Sequence, residues 1–235
     1  MGLYDRNMPS REAERDFARG FASEGASVAE SERSAFIKQT YKLLAASLLA
    51  ATAGAYIGVE YVKTFSWALV ILEFALLIGL YFTKRNAALA LVVLFGFTFV
   101  SGLTLGPILN TYIGAGMGNV ITQAFLMTTV AFGGLSLFAF NTKRDFSAMG
   151  KFLFIALIIV VVASLINIFV GSPLLQLAVA GVGAILFSAY ILYDTQMIVR
   201  GGYDNPVLAA VALYLDILNL FVSLLQLLGI FSNRD

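Results

Sequence analysis

The fold class this sequence predicts is an all-α integral membrane protein with seven transmembrane helices and a cytoplasmic amino terminus. Three observations predict it. Hydrophobic residues make up 60% of the chain and charged residues 12%, with a mean hydropathy of +0.87, a composition foreign to soluble domains. Seven apolar stretches are long enough to cross a hydrocarbon core of about 30 Å as helices, and they are too continuous for alternating barrel strands. Thirteen of the fifteen Lys and Arg residues fall in the amino-terminal segment and the even-numbered connections; only Lys63 and Arg234 lie opposite. The positive-inside rule places the first group in the cytoplasm and the carboxyl terminus across the membrane.

Residues 1–38 mix Ser, Ala, Glu and Arg with Phe17 and Phe21 and lack the charged, apolar, small-residue order of a cleaved signal peptide. They are expected to form a cytoplasmic tail, with residues 39–235 as one seven-helix domain. Ser27 followed by Glu30 has capping-box spacing, so a helix is expected to start there and run into the first span. Residues 15–21 lying on the membrane surface are the alternative. The spans are placed at 41–59, 66–83, 87–106, 118–140, 151–170, 173–198 and 207–231. Gly54 with Gly58 in the first and Gly102 with Gly106 in the third match G-x-x-x-G, which lets helix backbones approach closely. Pro107 with Gly114, Gly116 and Gly118 reads as an external loop with turn chemistry; no G-K-[ST] accompanies it, so it is no phosphate loop.

Cys and His are both absent. This excludes disulfides, thiolate metal sites, Cys nucleophiles and an H-E-x-x-H protease, and proton sensing near neutral pH must fall to carboxylates. No enzyme chemistry, resident cofactor or nucleic-acid partner is expected; the surrounding partner is the lipid bilayer.

Three acids interrupt the apolar stretches: Glu73, Asp194 and Asp216. A carboxylate at mid-bilayer costs about 2.5–3.5 kcal/mol even on insertion scales, so such residues face protein or water and serve a purpose. In the last span Asp216, Asn219, Ser223 and Gln226 share one face. Interhelical hydrogen bonding explains the last three as well as function does. Spans six and seven are antiparallel neighbours, and modest stagger brings Asp194 to Asp216, where the two would titrate as a unit and offer possible Ca²⁺ contacts. Alternatively Asp194 simply pairs with Arg200 or a base of span two. Lys84 and Arg85 lie three turns after Glu73 and could reach Asp194 as a latch, although positive-inside anchoring accounts for them equally.

Tyr193-Asp194-Thr195-Gln196, the segment from Leu213 to Phe221, and Thr142-Lys143-Arg144-Asp145 resemble the Bax inhibitor-1 (transmembrane Bax inhibitor motif) family from about residue 35 onward. The run from Gly106 to Tyr112 and the glycine cluster from Gly114 to Gly118 are similar to its bacterial branch, which includes a modulator of an ATP-dependent inner-membrane protease. The resemblance implies a bacterial inner-membrane protein with a central last helix. It also implies a pH-sensitive calcium leak controlled by the aspartates matching Asp194 and Asp216, with a helix-two base, Lys84 or Arg85, as latch. Two function classes stay open: a pH-gated cation pathway with Ca²⁺ as the transported ion, and a regulator that binds another membrane protein such as a protease.

Overall fold

The computed structural model describes residues 11–83 and 86–232. Among them are seven α-helices and no strand: α1 (Arg11–Tyr61), α2 (Trp67–Thr83), α3 (Ala87–Gly114), α4 (Gly118–Asn141), α5 (Gly150–Val170), α6 (Pro173–Arg200) and α7 (Pro206–Ser232), with a 3₁₀ turn at Ser147–Met149 before α5. Six have the length and apolarity to cross a membrane, with α1 contributing Ser27–Tyr61. The exception is α2, whose 17 residues rise only about 25 Å.

Two expectations are corrected. Helix α1 begins at Arg11, so Ser27 is an interior position and no cap; a favourable cap spacing does not stop a helix whose preceding residues are themselves compatible with it. Pro107 lies inside α3, and the turn narrows to residues 115–117. A proline frees the carbonyl four residues earlier, and inside a bundle neighbouring helices can absorb the loss. Here that carbonyl, Leu103 O, faces Gly58 of α1, where an added Cβ would lie 2.7 Å away.

The α1–α3 contact is the tightest in the bundle. A Cβ on Gly54 would collide with the Phe99 carbonyl, one on Gly102 with the Ala51 carbonyl, and one on Gly106 with the backbone of Gly58. The two G-x-x-x-G motifs therefore face each other. Asn110 adds a hydrogen bond from its Nδ2 to Val59 O at 2.9 Å.

Helix α7 packs against α1, α3, α4 and α6, and no residue from 206 to 230 is exposed. It is the central helix, and the core gathers on it: Leu213, Tyr214, Leu220 and Leu225 are each at most 1% exposed. The outer helices stand on the periphery, α2 against α3 and α5 against α6.

Candidate functional site: a buried aspartate pair

Helix α6 ends in a glycine-capped turn. Gly201 takes the left-handed conformation at φ +77°, and Gly202 N–H donates to Met197 O at 2.7 Å, the closure a Schellman motif uses. Helix α7 restarts at once. Asn205 Oδ1 accepts from Val207 N–H at 2.8 Å with Pro206 in the first helical position, a side-chain cap followed by a preset φ. This short turn folds Tyr203 back over the helix ends, and its hydroxyl donates to Asp194 Oδ1 at 2.8 Å.

Asp194 of α6 and Asp216 of α7 lie within hydrogen-bonding reach of each other and are each 5% exposed. Asp216 Oδ2 has no hydrogen-bond partner among the described residues. No Lys or Arg among them pairs with either aspartate: Arg200 Nη1 instead binds Asp145 Oδ2 at 2.9 Å, and its Nη2 donates to Arg144 O at 2.8 Å. This corrects the Arg200–Asp194 alternative. Six residues along a helix turn the side chain about 240° away, so the two leave α6 on different faces. Burial, followed by the charge of Asp194, pushes the Tyr203 phenol far above its ordinary range, so it stays a donor.

The connection before α5 is tied to the same helix. Gln196, 2% exposed, accepts from Phe146 N–H at 2.6 Å and donates to Arg144 O at 2.7 Å. Asp145 lies below the usual carboxylate range, chiefly through the Ser147 backbone N–H and with help from Arg200. A depressed carboxyl contributes while ionised, so this fastening is present above the ordinary carboxylate range and lost as pH falls through it.

The other residues singled out by sequence are distributed differently. Asn219, Ser223 and Gln226 line a cavity between α5, α6 and α7. Neither aspartate lines that cavity; Phe187 of its wall packs with Ile191 and Leu220 in an apolar cluster, all at most 8% exposed. Glu73 faces α3, where Thr104 Oγ1 donates to its Oε2 at 2.9 Å, and is not brought to the aspartates. Lys84 and Arg85 lie outside the described residues. Sequence reasoning missed Tyr203 and Gln196: the first sits in a turn with no periodic pattern, while the second had a signal, being a lone amide two residues after Asp194.

Chemically, two carboxylates in contact cannot both stay ionised without something between them. A shared proton or a cation resolves the repulsion, and the free Asp216 oxygen is the acceptor available to either. No group of three or more acidic, His or Cys side chains suited to a metal is found among the described residues. Ca²⁺ takes six to eight oxygens, so most of its ligands here would be water.

Residues 33–233 match the family described as Inhibitor of apoptosis-promoting Bax1. An uncharacterized protein of Campylobacter jejuni is 53% identical over all of both chains. An uncharacterized membrane protein of Vibrio cholerae is 44% identical, over 87% of this chain and 93% of its own. The Modulator of FtsH protease YccA of Escherichia coli K12 is 38% identical, over 68% of this chain and 75% of its own.

Proposed function

The chain belongs to the Bax inhibitor-1 family and is a multi-pass protein of the bacterial inner membrane; from that premise we propose that it is a pH-sensitive cation leak, with Ca²⁺ as the permeant ion, gated at Asp194 and Asp216. The observation that carries this reading is the buried pair itself, with one oxygen unpartnered among the described residues and no described base beside it. Ionisable groups held inside a membrane bundle at a cost of several kcal/mol are typical of ion and proton paths. A path built on two carboxylates and water holds a divalent ion weakly enough to release it, as conduction requires. The Phe187, Ile191, Leu220 cluster is the barrier in the resting state. Lys84 and Arg85 keep the latch role as a proposal, with one of them closing on Asp194 while it is ionised.

Ca²⁺ entry into proteoliposomes of the full chain, measured as pH varies, tests this. Flux is expected to rise on acidification. In Tyr203→Phe the carboxylate loses an O–H donor that favours its ionised form, so the midpoint is expected to move to higher pH by about one unit. An unchanged midpoint would remove Tyr203 from the gate.

The second reading is a regulator of another membrane protein, favoured by the Escherichia coli relative that is named a modulator of FtsH protease. A regulator of that kind conducts nothing at any pH and copurifies with an ATP-dependent membrane protease. Both readings share a topology in which all seven helices cross, α2 included, with the amino terminus cytoplasmic. Reporter fusions at the two ends are expected to report opposite sides, because thirteen basic residues oppose two. Both ends in the cytoplasm would make one helix re-entrant and would sink the depth assigned to Asp216.

A further inference from the structure

The cavity lined by Asn219, Ser223 and Gln226 has a volume of about 640 Å³, within the range of small-molecule sites between bundle helices. Its position differs from that of an enclosed pore. Helix α5 packs against α6 and makes no comparable contact with α3 or α7, yet Ile108 of α3 shares the lining with α5. The flank between α5 and α3 thus opens sideways into the hydrocarbon, and the α5 lining residues Val161, Leu165 and Ile168 are 48%, 53% and 69% exposed there.

The polar groups are layered by depth. No Lys, Arg, Asp or Glu lines the cavity. Asn167 lies three residues before the end of α5, Gln176 three after the start of α6 and Gln226 six before the end of α7, which puts all three within about 5–9 Å of the helix ends. That is where a bilayer's ester groups meet its hydrocarbon. Asn167 accepts from Ser172 N–H at 3.0 Å through its side-chain carbonyl, and its amide N–H groups have no partner among the described residues. The side-chain amides of Gln176 and Gln226 have no hydrogen-bond partner among the described residues. Deeper in the lining, Ser164 Oγ donates to Val160 O at 2.8 Å and Asn219 Nδ2 to Leu215 O at 2.7 Å, and Ser223 adds one hydroxyl. The deep wall is otherwise apolar.

We propose that this cavity binds one bilayer phospholipid, its acyl chain against the deep wall and its ester carbonyls accepting from the amides of Asn167, Gln176 and Gln226. Uncharged amide donors at ester depth match carbonyl acceptors and leave the charged headgroup in the interface. The side opening admits a chain still joined to its lipid. The site is separate from the aspartates and does not depend on their passing cations.

Full-length protein extracted in mild detergent and examined by native mass spectrometry, with lipid extraction to identify any adduct, tests this. The wild-type chain is expected to retain one phospholipid. The double variant Gln176→Leu/Gln226→Leu is expected to lower occupancy about tenfold, as for two ordinary hydrogen bonds lost from the complex. Val161→Trp fills the cavity from a lipid-facing position that burdens folding little, and is expected to lower occupancy as well. Asp216→Asn touches the cation site and not the cavity, so it is expected to keep its lipid, which separates failure of this proposal from failure of the leak. A wild-type protein without phospholipid, equal retention in Val161→Trp, or an adduct identified as a quinone or free fatty acid would each overturn it.

Discussion

Asp194→Asn and Asp216→Asn are each expected to flatten the pH dependence of Ca²⁺ flux, and the double variant to change it by less than the two single effects combined. The two carboxylates share one site, within hydrogen-bonding reach and both buried, so either replacement abolishes the coupling and the second has little left to remove. The interaction free energy expected for such a contact is about 0.5–3 kcal/mol. An amide keeps the volume and an acceptor oxygen, so a change in flux reports charge and protonation, not a cavity. Additive effects within error would show two independent acids and end the paired mechanism.

Gly102→Val is expected to have the largest effect on stability. Its Cβ would meet the Ala51 carbonyl and lie 2.8 Å from Ala55 N, and all of these are backbone atoms with no rotamer to yield. Overpacking a tight contact costs about 1–3 kcal/mol and occasionally more; here the two helices must part, which also breaks the Asn110 to Val59 hydrogen bond. Against a total stability of about 5–15 kcal/mol, loss of monodisperse protein at growth temperature is expected. Gly134→Val serves as the control, since nothing approaches its added Cβ within 4 Å. Thermal unfolding in detergent measures both, and equal stability of the two variants would show that the G-x-x-x-G contact is not what holds α1 to α3.

Much of this was legible in the sequence because the bilayer simplifies the rules. Apolar length alone placed α4, α5, α6 and α7 to within about two residues of their observed ends. The same simplicity misled at Pro107: loop chemistry learned from water fails where a neighbouring glycine face can accommodate a freed carbonyl. It misled again at Ser27, where cap spacing was taken as a boundary inside a longer helix. For the site, helix periodicity put Asp216, Asn219, Ser223 and Gln226 on one side, but only tertiary packing shows the last three lining a cavity that the aspartate does not. Glu73 looked equivalent to the aspartates because sequence registers depth in the membrane and not which neighbour a side chain meets. Tyr203 was invisible for a similar reason: its role depends on a turn folding back over the helix ends.

The burial of α7 on every side has a consequence for how the protein is made. The helix that follows the other six in the chain occupies their midst, so the earlier helices must wait in the bilayer around an unfilled axis. Until α7 arrives, Asp194 lacks both its partner carboxylate and the α7 face that α6 packs against. Arrival of α7 and completion of the core are then one event. A chain stalled before residue 206 would be an assembly intermediate with its interior open, exposed to membrane quality control, and no smaller version of the finished protein.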